Sequence, residues 1–299
     1  MDVSVIIVNY NTKQLLADCL QSLYQHTYGV GFEVIVVDNA SIDGSVQMVE
    51  SDYPDVILLK SSQNLGFGRA NNVACSRACG RYLFLLNPDT ILLNNAIKLF
   101  YDFAENNIDK PVFLGSILLD EHNLPTHSYG KFPTLRGTLL IALNTYTSFI
   151  GTNFIRNEEE IPSITSEYLN VDYITGADLF VLKSVFETCG RFDERFFMYF
   201  EETDLQLNAA KHGYKRMLID TPKIVHYYSA SFESVSKKSF SKMMIVTKSL
   251  FLFLKKHNNP FKYYTFRCLY AILRFLPAIM HPYSSKEKMR YINLLFFGR

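Results

Sequence analysis

The 299 residues are 48% hydrophobic with only 14 Gly and 10 Pro, which excludes a disordered chain and allows one large domain or one and a half. The net charge of +1 hides a division. Residues 1–235 hold 17 Lys and Arg against 28 Asp and Glu, a net −11, whereas residues 236–299 hold 13 against 1, a net +12.

The N-terminus, Met-Asp-Val-Ser-Val-Ile-Ile, opens on a strand without the basic stretch and cleavage site of a signal peptide, so export is not expected. Val3 to Val8 is a short β-branched run broken by Asn9-Tyr10-Asn11-Thr12, and Leu15, Leu16, Cys19, Leu20 and Leu23 then recur at helical spacing from Lys13 to His26. Glu33 to Val37 repeats the strand and ends in Asp38-Asn39-Ala40-Ser41, followed by a helix from about Asp43 to Glu50. Val56 to Leu59 predicts a third strand, and Gly68 to Cys79 a third helix. Tyr82 to Leu86 is a continuous apolar run that suits a strand buried on both faces and runs into the corner Asn87-Pro88-Asp89-Thr90. That corner reads either as a plain turn before a helix or as two side-chain oxygens facing a cation.

Strands alternating with helices at this spacing imply an α/β fold with a mostly parallel sheet and right-handed crossovers. In such a sheet the loops at the carboxyl ends of the strands converge on one crevice, the usual ligand site. The three polar loops, Asn9 to Asn11, Asp38 to Ser41 and Asn64 to Arg69, suit a nucleotide there: Asp38 to accept from base or ribose, Tyr10 to stack, Arg69 to meet phosphate. A dinucleotide-binding fingerprint is excluded because the first loop contains no glycine, and there is no P-loop lysine motif.

Asn94 to Asn106 predicts a helix and Pro111 to Leu119 a strand; periodicity then weakens from about 120 to 171, a variable region expected on the acceptor side, with Leu135 to Ile150 helical and Asn157 to Ser163 an exposed acidic loop. Tyr173 to Leu182 predicts a strand. Five carboxylates then lie within twelve residues among aromatics, and Glu201, Glu202 and Asp204 fall at a loop-to-helix transition, with Leu205, Ala209 and His212 on the buried side and Gly213 ending the helix. Acids in a first helical turn offset the macrodipole, but a glutamate desolvated among Phe196, Phe197, Tyr199 and Phe200 also fits a general base. Lys215 to Ile219 and Lys223 to His226 are the last strands. Five scattered cysteines (Cys19, Cys75, Cys79, Cys189, Cys268) have neither disulfide nor zinc spacing and read as reduced buried thiols of a cytosolic protein.

Five motifs stand in fixed order: Val-Ser-Val-Ile-Ile-Val-Asn-Tyr-Asn11, Val-Val-Asp-Asn-Ala-Ser41, Asn-Leu-Gly-Phe-Gly-Arg-Ala-Asn-Asn72, Leu-Asn-Pro-Asp-Thr90 and Phe-Met-Tyr-Phe-Glu-Glu-Thr-Asp-Leu205. Together they resemble the family 2 glycosyltransferases of the GT-A fold, particularly the rhamnosyltransferase-like branch, over about residues 1–230. The resemblance implies a Rossmann-like GT-A domain over residues 1–235 and inverting transfer of a sugar from a nucleotide-diphosphate donor to a glycan or lipid-linked glycan acceptor.

By the same resemblance Asn9, Tyr10, Asp38, Asn39, Gly66, Arg69, Asn87 and Asp204 hold the donor, Asp89 and His226 bind Mg²⁺ or Mn²⁺, and Glu202 is the base with Glu201 in reserve. The chain departs from the pattern twice. Asn87 stands for the first Asp of the usual Asp-x-Asp, and Glu202 for the Asp of the usual Glu-Asp. The alternative is a non-catalytic nucleotide-sugar-binding or scaffold protein in which these departures mark a decayed site.

Residues 236–299 form a basic helical extension. Phe240, Met243, Met244, Thr247, Leu250, Phe251 and Leu254 recur at helical spacing, with Lys237, Lys238, Lys242, Lys248, Lys255 and Lys256 around them; Tyr263 to Met280 carries Arg267 and Arg274. Such helices suit an anionic membrane surface, which would place the protein in the cytoplasm at the inner face of the cell membrane, or they cap the catalytic domain or a homodimer partner. Nucleic acid is not expected, since no reading motif accompanies the charge.

Overall fold

The apolar runs of the first third of the chain become neighbouring parallel strands in a computed structural model that describes residues 1–107, 112–149, 167–227 and 240–298. In chain order the elements are β1 (Val3–Asn9), α1 (Lys13–His26), β2 (Phe32–Asp38), α2 (Ser45–Asp52), β3 (Ile57–Lys60), α3 (Phe67–Arg77), β4 (Tyr82–Leu86), β5 (Thr90–Leu92), α4 (Ala96–Asn106), β6 (Val112–Ser116) and β7 (Tyr129–Gly130). There follow α5 (Leu135–Phe149), β8 (Tyr168–Asn170), β9 (Tyr173–Ile174), β10 (Asp178–Leu182), α6 (Lys183–Thr188), α7 (Glu201–Lys211), β11 (Lys215–Ile219), β12 (Ile224–His226), α8 (Phe240–His257), α9 (Pro260–Met280) and α10 (Ser285–Phe297). By internal contacts the described residues of Met1–Phe132 and Ile161–Ser234 form one unit, and those of Pro133–Glu160 and Val235–Arg299 a second.

The first unit is built on an eight-stranded sheet of order β3-β2-β1-β4-β10-β6-β11-β8. Strands β3, β2, β1 and β4 run parallel, as do β6 and β11, while β10 is antiparallel to both of its neighbours and β8 to β11. Because side chains alternate along a strand, continuous apolar runs feed two cores at once. Val5 and Ile7 join Leu16, Leu20, Phe84, Phe100 and Phe180 on one face, while Ile6 joins Ile35, Ala70, Ala74, Leu85 and Leu205 on the other. The rings of Phe84, Phe100 and Phe180 lie 5.5–6.0 Å apart and lock α4 onto the sheet centre.

The elements depart from the sequence reading where local chemistry overrides periodicity. Asp43 stays in the turn, accepting hydrogen bonds from the backbone N–H of Lys13 and Ser45, so α2 begins two residues later than expected. Tyr173 to Leu182 is two strands, because Thr175-Gly176-Ala177 turns the chain between β9 and β10. Thr90 begins strand β5, not a helix. His212 is exposed rather than buried, held through Nδ1 to the carbonyl of Asn208 as α7 ends. Cys19, Cys75 and Cys189 are buried, but Cys79 and Cys268 are exposed. Pro111, the Asn157 to Ser163 loop, Lys237 and Lys238 lie outside the described residues.

The second unit contains α5 and α8 to α10. Its last helix was not anticipated, although Ser284 and Glu287 form a capping box at its start, a signal legible in sequence. Arg267 and Arg274, the two arginines of the Tyr263 to Met280 segment, point inward. Arg267 donates to the carbonyls of Leu294 and Leu295 and lies 4.9 Å from the Phe251 ring centroid; Arg274 reaches the Tyr291 hydroxyl. No helix among the described residues is long and apolar enough to cross a membrane.

Candidate active site

The site begins where β1 and β2 end side by side, because their parallel register pairs Asn9 with Asp38. Both are buried. The Asn9 amide donates to Asp38 Oδ1 and Ser41 Oγ, each at 3.1 Å, while its oxygen accepts from Thr12 Oγ1 at 2.7 Å. Asp38 Oδ2 accepts from the Ser41 N–H at 2.9 Å. A carboxylate with these donors is held in one orientation at the end of its strand. Asn11 and Ala40 take left-handed φ of 53° and 68° to turn the two loops, and Tyr10 stays half exposed at the tip of the first. Ser41, which the motif reading passed over, ties the loops together, since it also accepts from the Asn11 N–H.

The third loop is joined to the second by Asn39, whose amide donates to the Gly66 carbonyl and accepts from the Leu65 N–H. Gly66 has φ +81° and ψ −179°, a conformation essentially confined to glycine, and a Cβ there would stand 2.1 Å from the Phe197 carbonyl oxygen. That carbonyl accepts from the Phe67 N–H at 2.9 Å. The donor loop is thus packed directly on the aromatic segment before α7. Arg69, expected to meet phosphate, sits 3.6 Å from Glu194 in an exposed ion pair.

At the end of β4 the Asn87 N–H donates to the Ala177 carbonyl, while the Asn87 carbonyl accepts from Thr90 Oγ1. The short β5–β12 ladder then pairs Thr90 with His226, bringing a residue 137 positions downstream of Asp89 beside it. Asp89 is 5% exposed, and its Oδ1 lies 3.3 Å from His226 Nε2. No sequence motif assigns a role to Asp178, yet it is fully buried and accepts from the N–H and Oγ of Ser116. Burial pushes its carboxyl up to about 7, opposed by those donors and by His226 nearby. A lone acid in the apolar strand Asp-Leu-Phe-Val-Leu182 was the available signal.

Tyr199 and Phe200 have successive positive φ of 68° and 69°, a strained entry that sets the direction of α7. Its acids then diverge. Glu201 is 3% exposed and packs toward Gly68 and Phe192; burial and its neighbour Glu202 hold its carboxyl well above the usual range. Glu202 is partly exposed, lies against Gly176, and burial pushes its carboxyl up to about 7. Gly176 precedes the Ala177 that anchors Asn87, so Glu202 shares the sheet edge of the Asp89–His226 pair. Asp204 is buried, and its charge acts on Arg195.

One carboxylate and one imidazole at a strand end fit a divalent cation that takes its other ligands from diphosphate and water. Among the described residues no group of three or more His, Cys, Asp or Glu side chains is arranged to hold a metal without such help. Asn87 contributes only a neutral amide to this corner.

Residues 4–156 match the family described as Glycosyl transferase family 2. Among curated proteins the chain is similar to the N-acetylglucosaminyl-diphospho-decaprenol L-rhamnosyltransferase of Mycobacterium tuberculosis, 27% identical over 268 residues that cover 85% of this chain and 84% of the relative. It is also similar to the rhamnosyltransferase WbbL of Escherichia coli, 25% identical over 247 residues that cover 80% and 88%. Among solved structures it resembles GalNAc-T7 with UDP, GalNAc and Mn²⁺ (TM-score 0.63, 14% identity, 98% of this chain and 54% of that one). S. aureus TarS is a second such structure (TM-score 0.57, 15% identity), of which the chain, itself 98% covered, spans 48%. The fold common to these neighbours is GT-A, and with the family match over half of its length the chain is a glycosyltransferase belonging to family 2.

Proposed function

We propose that the chain transfers a hexose, rhamnose being the candidate, from a nucleotide-diphosphate donor to a hydroxyl of a lipid-linked glycan acceptor, with inversion, in surface-polysaccharide or O-antigen-like synthesis. The observation that carries this reading is the Asp89–His226 pair at the end of β4, with Asp38 at the end of β2 and Glu202 against Gly176 just before β10. Asp38, oriented by Asn9 and Ser41, accepts hydrogen bonds from the base or ribose, and Tyr10 covers the base. Asn39 and Gly66 hold the loop against which the donor lies. Asp89 and His226 would hold Mg²⁺ or Mn²⁺, which supplies charge compensation for the leaving diphosphate when bound. Glu202 takes the proton of the acceptor hydroxyl; the oxygen bonds to the anomeric carbon as the carbon–oxygen bond to the diphosphate breaks, and the electron pair leaves with the diphosphate. A single displacement of this kind inverts the anomeric centre, the outcome that the resemblance to family 2 implies. A cytosolic donor and a lipid-linked acceptor together put the protein at the inner face of the cell membrane.

The test is a panel of nucleotide sugars screened for thermal stabilisation with and without Mn²⁺, since a ligand of the native state raises stability by mass action. One donor that stabilises the protein further when Mn²⁺ is present supports the reading. Absence of a shift with every donor sends it to the non-catalytic scaffold alternative.

A further inference from the structure

Helix α9 is inside out. Its buried arc contains Tyr263, Phe266, Tyr270 and Pro277 together with the two arginines, Arg267 and Arg274, which are consumed by carbonyls of α10 and by Tyr291. Its outward arc carries Phe261 (80% exposed), Ile272 (63%) and Met280 (60%), with Tyr264, Phe275 and Ile279 on the same stripe. The one charge on that arc is Lys262, at its edge. A soluble helix has the opposite arrangement. At 21 residues the stripe runs about 30 Å, and beside it α5 and α9 frame a groove of about 550 Å³ lined by Leu139, Leu143, Leu269 and Ile272, with Arg136 and Lys262 among its walls. Contiguous apolar surface of this extent marks an interaction site.

We infer that the outward face of α9 and the α5–α9 groove insert into the interfacial layer of an anionic lipid bilayer, with α9 lying in the membrane plane. Charge selects this occupant. Residues 236–299 carry a net +12, so a second copy docked through the same face meets like charge, whereas an anionic leaflet attracts it. The inference identifies the surface on which a lipid-linked acceptor would be met, and to that extent rests on the proposed function. The insertion itself is measurable without a donor.

The chain contains no tryptophan, so Ile272→Trp supplies its sole indole; Leu124→Trp, an exposed position of the first unit, is the control. In vesicles of brominated phosphatidylcholine and phosphatidylglycerol in equal parts, the indole at 272 is expected to be quenched and that at 124 not. Ile272→Asp and, separately, Phe261→Asp are expected to reduce the vesicle-bound fraction about tenfold, while donor-induced thermal stabilisation is retained. Loss of donor binding in the unsubstituted protein would instead strike the proposed function and leave insertion standing. Protein that stays in the supernatant, vesicle binding without quenching at 272, or lipid-free self-association that shields the indole at 272 would each overturn the inference.

Discussion

Gly66→Ala tests the coupling between the donor loop and α7. The added Cβ would lie 2.1 Å from the Phe197 carbonyl oxygen, closer than the 3.0 Å that real Cβ contacts respect, and the obstacle is backbone rather than a side chain that can swing away. The loop must therefore shift by about an ångström, breaking the Phe67 N–H to Phe197 O bond, a loss of about 1 kcal/mol. Holding alanine at φ +81° and ψ −179° adds about 2 kcal/mol. The sum, about 3 kcal/mol, corresponds to a fall in Tm of about 6–12 °C. Gly190→Ala is the control: its φ is +97°, but nothing lies within 4 Å, so only the backbone term of about 1 kcal/mol remains. Urea unfolding of both variants measures the difference. If Gly66→Ala is no more destabilising than Gly190→Ala, the packing of loop on carbonyl has been misjudged.

Asn39→Ala removes both hydrogen bonds to the Leu65–Gly66 backbone and is expected to cost about 2–3 kcal/mol in urea unfolding; a loss under about 0.5 kcal/mol would mean the loop holds itself. Asp89→Asn is expected to abolish the Mn²⁺-dependent increment of donor stabilisation in a thermal melt while leaving the metal-free shift, and an undiminished increment would remove Asp89 from the metal. The pH profile of kcat/KM is expected to rise about tenfold per unit below pH about 7 and level above it, because Glu202 must be ionised to accept a proton. The same raised group acts oppositely on stability: its contribution is present at low pH and is lost as pH rises through about 7, since the folded state binds the extra proton. A flat rate profile across that range would exclude Glu202 as the titrating base.

The parts of the site that depend on strand ends were legible in sequence, because an apolar run that stops at a polar residue identifies both the strand and its carboxyl end. Asn9, Asp38 and Asn87 were found in this way, and parallel register brings Asn9 and Asp38 together. What depends on distant pairing was not. The three-residue strand β5 is too short to show a period, yet its ladder with β12 sets His226 beside Asp89. Strand direction was equally hidden: β10 is buried on both faces whichever way it runs, and its antiparallel course carries Gly176 and Asp178 to the site edge. In α9 the aromatic and basic residues were legible but not which way each faces, because arginine can satisfy its guanidinium on buried carbonyls and leave phenylalanine and isoleucine outside.

The most direct test of the account is a transfer assay that compares Glu202→Gln with Glu201→Gln, each first shown to bind the nucleotide sugar as the unsubstituted protein does. With Glu202 as base beside Gly176 and Glu201 packed toward Gly68, Glu202→Gln is expected to lower kcat by about 10²-fold or more and Glu201→Gln to spare it within about tenfold. Transfer undiminished in Glu202→Gln, or lost only in Glu201→Gln, would contradict the account.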